Sequence, residues 1–201
     1  MKDKSYTSRK DQAVLTKKKI FDITALLIKK KGYNKITIRE ICQNAEISVG
    51  TFYLYFLSKD DILLDIYHKL LLNLPEEAAK LSSLSPIEQI LQTTSYFLEQ
   101  LHNSFDKNLI QEIYRINLSA NSDPLLCESS TFFQLLVHFL EKASADRKLL
   151  PPYTPTDTVS KIIIFIHGCL VHWLMDESDD FNKMKEECLM ELKHYLSLYL
   201  A

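Results

Sequence analysis

The sequence predicts an all-α fold of about nine helices, divided into a small N-terminal part and a larger C-terminal part. Apolar residues recur at three- and four-residue spacing through most of the 201 positions, glycine occurs only 3 times and proline 6 times, and strand-like alternation is scarce. A chain of this length buries a substantial core without metals or disulfide staples. Its apolar content of 46% and charged content of 25% are ordinary for a globular protein.

The elements follow in order. Residues 1–15 are polar and basic, with Lys2, Lys4, Arg9 and Lys10, and read as a mobile arm. From Thr16, the positions Ile20, Ile23, Leu27 and Ile28 mark one helix face, and Lys31-Gly32 stops the helix. Thr37, with Glu40 three residues on, opens a second helix whose inner face is Ile38, Ile41 and Cys42. The chain turns at Ala45-Glu46-Ile47, and Ser48 caps a third helix reaching about Leu54. Ser58 caps a fourth, with Asp60 and Asp61 in the first turn where the helix dipole favours anions, running toward Leu74-Pro75. Further helices are expected at 86–103, 106–119, 123–146, 155–176 and 180–200, with Pro86, Pro124 and Pro155 in first turns and Asp123 and Thr154 as caps. Three prolines within 149–156 mark a loop.

The net charge of −2 conceals a polarity. Residues 1–60 carry 13 Lys+Arg against 6 Asp+Glu, a net of +7, whereas residues 61–201 carry 11 against 20, a net of −9. A basic head on an acidic body implies that the head either meets a polyanion such as nucleic acid or presents a solvated basic face. The four cysteines, Cys42, Cys127, Cys169 and Cys188, form no C-x-x-C pair, each lies inside an apolar helical pattern, and they read as buried free thiols of a reducing cytoplasm. The first 19 residues lack the apolar core of a secretory signal, and the 14-residue apolar run 162–175 is short for a membrane span. No Gly-rich phosphate loop, G-x-S-x-G elbow or H-E-x-x-H pattern occurs, so no catalytic residue and no cofactor is expected. His167, Cys169 and His172 do not share one helix face, which argues against a metal site.

The most informative segment is 37–59, TIREICQNAEISVGTFYLYFLSK. It reads as two short helices joined by a tight turn, with the first helix packing across them through Ile23, Leu27 and Ile28. The third helix then projects a slim face of Ser48, Val49, Gly50, Thr51 and Tyr53. Such a helix fits the major groove of duplex DNA, whereas the deep, narrow major groove of RNA excludes it. Tyr53, Tyr55 and Lys59 flank it with groups suited to phosphate oxygens. Phe52, Phe56 and Leu57 read as core, and Tyr33 as a buried plug. The lysines at 17–19 either lie near phosphates or are merely solvated.

The run 19–64 resembles the DNA-binding region of TetR/AcrR-type regulators. The matching elements are Lys31-Gly32-Tyr33, Thr37-Ile38-Arg39-Glu40-Ile41, Ala45-Glu46-Ile47-Ser48 and Gly50-Thr51-Phe52-Tyr53-x-Tyr55-Phe56-x-Ser58-Lys59. The resemblance implies a helix-turn-helix DNA-binding domain at 1–58 and a ligand-sensing and dimerisation domain at 59–201. It implies a homodimer on a palindromic double-stranded operator, and repression relieved by a small hydrophobic or amphipathic effector. Carried over by position, Val49, Gly50 and Tyr53 meet bases or adjacent phosphates, and Arg39 reaches a base or phosphate. Thr37, Ser48, Thr51, Tyr55 and Lys59 fall at phosphate-contacting places. Glu46 replaces the glycine often found at the turn, at a cost of about 1 kcal/mol if φ there is positive.

In the C-terminal half the likeness is loose, chiefly Gly168 with Trp173. A helix apolar nearly all round, with Ile162, Phe165, Ile166, Cys169 and Trp173, precedes a last helix with Cys188, Leu192, Tyr195 and Tyr199. The pair is suited to a four-helix interface between two copies. Phe97, Leu101, Tyr114, Phe133, His138, Phe139, His172 and Trp173 are candidates to line an effector cavity, although helical aromatics more often simply pack a core. An alternative keeps the DNA-binding head and gives the body to a protein partner. No membrane association is expected, and the protein is placed in the cytoplasm, on the nucleoid when bound to DNA.

Overall fold

The computed structural model describes residues 9–120, 125–146, 149–178 and 180–200. Among these residues the regular structure is helical throughout. The order is α1 (Arg9–Lys31), a 3-10 turn (Tyr33–Lys35), α2 (Ile38–Ala45), α3 (Val49–Tyr53), α4 (Lys59–Lys69), α5 (Leu74–Ala79), α6 (Pro86–Ser104), α7 (Lys107–Ser119), α8 (Thr131–Ala145), α9 (Pro155–Met175) and α10 (Phe181–Leu196).

Several boundaries differ from the sequence reading. Helix α8, expected from 123, begins at Thr131 with Ser130 as its cap, and α10, expected to reach 200, ends at Leu196. Helix α1 begins at Arg9 rather than Thr16, so residues 9–15, expected in an arm, are helical. Polar composition did not exclude this, because Lys, Gln, Ala and Leu are good helix formers. The remainder of the expected arm, and the expected cap Asp123 with Pro124, lie outside the described residues. The fourth helix ends at Lys69, and α5 is a tenth, short helix beginning at Leu74. Pro75 opens it, since the first turn of a helix does not use the N–H that proline lacks.

The chain divides into two compact units, one ending at Ile66 and the other starting at Tyr67. In the first, α1 packs on α2 and α2 on α3. Ile20 and Leu27 of α1, Ile41 and Ala45 of α2, Phe52 and Phe56 around α3, and Ile62 and Leu63 of α4 are all buried. Burying each of the isoleucine, leucine and phenylalanine side chains contributes about 1.5–3 kcal/mol.

In the second unit α8 packs on α9 and α6, and α10 packs on α6 and α9. Phe97 and Phe132 meet at the α6–α8 contact with ring centroids 5.0 Å apart. Ser85 and Glu88 close a reciprocal capping box at the start of α6, and Thr154 Oγ1 accepts the Asp157 N–H (3.2 Å) at the start of α9. By length and composition alone α9 is sufficient to cross a membrane. In the fold eight of its residues, Ile162, Ile163 and Ile166 among them, are buried inside the unit.

Candidate nucleic-acid interface

Capping residues set the helix-turn-helix. Thr37 Oγ1 accepts the Glu40 N–H at 3.2 Å, which starts α2. Glu40 does not close the reciprocal half of a capping box but pairs with Lys31. Ser48 Oγ accepts the Thr51 N–H at 3.0 Å and starts α3, and the Ser48 and Thr51 hydroxyls are hydrogen-bonded at 2.8 Å. Between the helices Glu46 adopts φ 53° and ψ 44°, the left-handed conformation, and its N–H reaches the Cys42 and Gln43 carbonyls. The turn therefore requires the positive φ that glycine supplies more readily. Lys19 holds the Glu46 carboxylate at 3.1 Å.

Helix α3 is anchored by Phe52, fully buried against the core. The opposite face carries Val49, Gly50, Tyr53 and Leu54 at helical spacing, and it is open: Val49 is 40% exposed, Tyr53 51% and Leu54 80%. Arg39 on α2 is exposed as well, and Thr51 and Tyr55 are half-buried beside the face. Seven of the nine expected DNA-binding positions, Thr37, Arg39, Ser48, Val49, Gly50, Thr51 and Tyr53, thus lie on the α2 and α3 segment or its caps.

Lys59 is placed differently from the phosphate-contacting position expected for it. Its ammonium donates to the Tyr33 carbonyl at 3.0 Å and the Ile36 carbonyl at 3.4 Å, and lies 4.2 Å from the centre of the Tyr33 ring. Tyr33 is buried, as expected of a plug, and its hydroxyl donates to Asp60. Lys59 therefore ties the start of α4 to the segment after α1. Leu57, expected in the core, is 82% exposed, because Phe56 takes the inward place and the Leu57 N–H turns to Asp61 Oδ2 at 2.7 Å. Among the lysines at 17–19, Lys17 lies 3.6 Å from Asp65 and Lys19 pairs with Glu46, while Lys18 is exposed.

Gly50 has no conformational reason to be glycine. A Cβ built there would meet only Ser48 Oγ, at 3.6 Å, an ordinary contact. A glycine inside a helix is destabilising by roughly 0.5–1 kcal/mol relative to alanine. Nothing among the described residues offsets that, so the missing side chain makes sense as room for a partner that approaches the backbone.

In the second unit the residues expected to line one cavity are distributed. Phe97, Leu101 and Phe133 are buried among packed helices. His138 and Phe139 line a concavity of about 250 Å³ with Pro75 and Gln89, whereas His172 and Trp173 line another, of about 260 Å³, between α9 and α10. Tyr114 and His167 form an α7–α9 hydrogen bond of 2.7 Å, a pairing that sequence spacing did not reveal.

The expected dimerisation residues also need correction. Ile162, Ile166, Trp173, Cys188, Leu192 and Tyr199 are buried within their own unit, so they are already committed to its core. Phe165, Cys169 and Tyr195 are half-buried, with the Phe165 and Tyr195 rings stacked at 5.8 Å. Of the four thiols expected to be buried, Cys42 and Cys188 are, whereas Cys127 is exposed in the segment before α8. The outward face of α9 instead carries Ile164, Gly168, Val171 and Met175, at spacings of three and four.

Comparison with known proteins accords with the geometry of the first unit. The profile of the family described as bacterial regulatory proteins, tetR family, matches residues 20–66. A probable HTH-type transcriptional regulator of Bacillus subtilis (strain 168), YttP, is 27% identical over 145 residues, which is 64% of this chain and 66% of YttP. An uncharacterised HTH-type transcriptional regulator of the same organism, YuxN, is 45% identical over 51 residues, 25% of this chain and 18% of YuxN. The chain thus spans just under two-thirds of the first relative's length and less than a fifth of the second's. A solved structure of Thermus thermophilus FadR, a TetR-family transcriptional repressor in complex with lauroyl-CoA, has the same fold with a TM-score of 0.71 at 22% identity, over 88% of this chain and 92% of that one.

Proposed function

We propose that the chain, whose residues 20–66 match the profile of the tetR family of bacterial regulatory proteins, is a member of that family and a ligand-released repressor that binds a palindromic operator as a homodimer. The observation that carries this reading is the open α3 face, held outward by Phe52 and by the Ser48 cap. The head, expected to end at 58 and reaching Ile66 in the fold, binds DNA with Arg39, Val49, Gly50 and Tyr53 toward the duplex, and the body, from Tyr67, dimerises and senses the effector. The protein works in the cytoplasm, on the nucleoid when bound, without membrane association or catalytic activity. The positive head supplies the sequence-independent part of the affinity.

Gly168 supports the homodimer. It lies at mid-α9 on the outward face, and a Cβ there would meet nothing within 4 Å. A second helix crossing closely at Gly168, flanked by Ile164 and Met175, accounts for a glycine that the subunit itself does not need. Two copies related by a two-fold axis present two α3 helices, and one such short helix alone reads few bases.

The effector class is amphipathic. The α9–α10 concavity has an apolar floor of Phe165, Trp173 and Met184 and a rim that includes Lys183 and Glu187. The FadR relative was solved with lauroyl-CoA, a molecule of the same general character. The test is a mobility-shift titration of the full chain against duplexes recovered by selection from a random pool. Arg39→Ala and Tyr53→Ala should weaken binding at least tenfold, and a saturating acyl-CoA should release the duplex. Unchanged affinity in both variants would refute the site. Duplex binding that no acyl-CoA or lipophilic cation alters would transfer the body to a protein partner.

A further inference from the structure

The outward face of α3 has an unusual chemistry for a DNA-reading helix. Bidentate recognition of guanine uses Arg or Lys, and that of adenine uses Asn or Gln. The segment 48–54, SVGTFYL, contains none of these residues and no carboxylate. Its two aliphatic hydroxyls, on Ser48 and Thr51, are bonded to each other, and Ser48 also holds the Thr51 N–H; the third hydroxyl is the phenol at the tip of Tyr53. What the helix presents outward is apolar: Val49, the ring of Tyr53, and Leu54, which is more exposed than either. Between them Gly50 leaves a gap that no other described residue fills.

One group on the major-groove edge of the base pairs is apolar, the 5-methyl of thymine. Val49, Tyr53 and Leu54 lie together on one face, and a contiguous exposed apolar patch marks an interaction site. We infer that α3 reads thymine methyl groups. Val49, Tyr53 and Leu54 pack on successive 5-methyls, and Gly50 lets the helix backbone come close enough for that contact. The operator half-site then carries T·A pairs under α3, and its specificity there is apolar rather than bidentate. Leu54, outside the positions carried over from the family motif, becomes a specificity-determining residue. This inference rests on the DNA-binding reading proposed above.

The test separates the two. Duplexes selected from a random pool by the full chain are resynthesised with deoxyuridine replacing each half-site thymine in turn, which removes the methyl and nothing else. At the thymines under α3 each replacement should weaken binding about fourfold, the effect of losing one buried methyl-sized group. The salt dependence should not change, because the phosphate contacts are intact. Leu54→Ser should bind the thymine and uracil duplexes equally at one position while keeping its thermal melt and its affinity for unselected DNA. Selected duplexes bound equally well with uracil at every position would overturn the methyl reading and leave DNA binding standing. Recovery of half-sites without thymine would do the same. Failure to recover any duplex would overturn the DNA-binding function and this inference with it.

Discussion

Single residues in the head do two kinds of work, and side-chain surroundings distinguish them. Glu46 serves the fold at a conformational cost: it occupies the left-handed region at φ 53°. Glu46→Gly should raise stability by up to about 1 kcal/mol in chemical denaturation, since the loss of its exposed partner Lys19 is worth little. Gly50 shows the reverse balance. Gly50→Ala should stabilise the protein by about 0.5–1 kcal/mol, yet weaken duplex binding in a mobility-shift assay, because the added methyl stands where DNA approaches. A stable variant with undiminished affinity would show that nothing approaches the α3 backbone. The roles of Thr37 and Ser48 as caps were legible in the sequence, because a cap acts on a backbone N–H three residues away. That of Lys59 was not, because its acceptors are carbonyls 26 and 23 residues earlier, brought to it only by folding.

At the scale of elements, hydrophobic spacing located the helices well and their ends less well. The start of α1 was missed because its added turns carry no apolar stripe to announce them, with Val14 and Leu15 exposed. Caps marked ends more reliably: Thr154 was visible as the start of α9, and Thr154→Ala should cost about 1 kcal/mol in denaturant titrations. Pairing between elements is beyond local pattern. Glu99 on α6 accepts from Lys185 on α10 at 2.7 Å, and that ammonium holds the Glu99 carboxyl below its ordinary value of 4.5. A carboxyl lowered by folding contributes stability above its unfolded value and loses it as pH falls through the folded one. The stability gap between wild type and Lys185→Met should therefore be present at pH 7 and shrink below about pH 4.5. A gap that did not shrink as the pH fell would assign the effect to packing of the lysine stem instead.

At the scale of the molecule, the charge division and the two exposed glycine-bearing faces carry the functional argument. The head has a net charge of +7 over residues 1–60 and the rest −9, so the head alone is drawn to DNA. If α9 forms the two-fold contact at Gly168, Ile164→Glu should yield a folded monomer in sedimentation, because Ile164 is exposed and its loss opens no cavity. The same variant should bind its selected duplex far more weakly, since one α3 helix would act without its copy. A dimer that survived this change would place the interface elsewhere.

The amino-acid order alone determined the helical class, the position of the helix-turn-helix and the residues that cap it, because those depend on interactions within about four residues. It also marked Gly50 and Gly168 as helical positions occupied by glycine, without saying what lay beside them. Only the tertiary structure decided which side of each helix is spent on the core. Helix α9 is apolar nearly all round, so its periodicity is compatible with several orientations. Packing against α8 and α10 commits Ile162, Ile166 and Trp173 inward and leaves Ile164, Gly168 and Met175 outside. The physical reason is that a repeat along one helix defines its faces, while the neighbour that covers a face is set by contacts far apart in sequence.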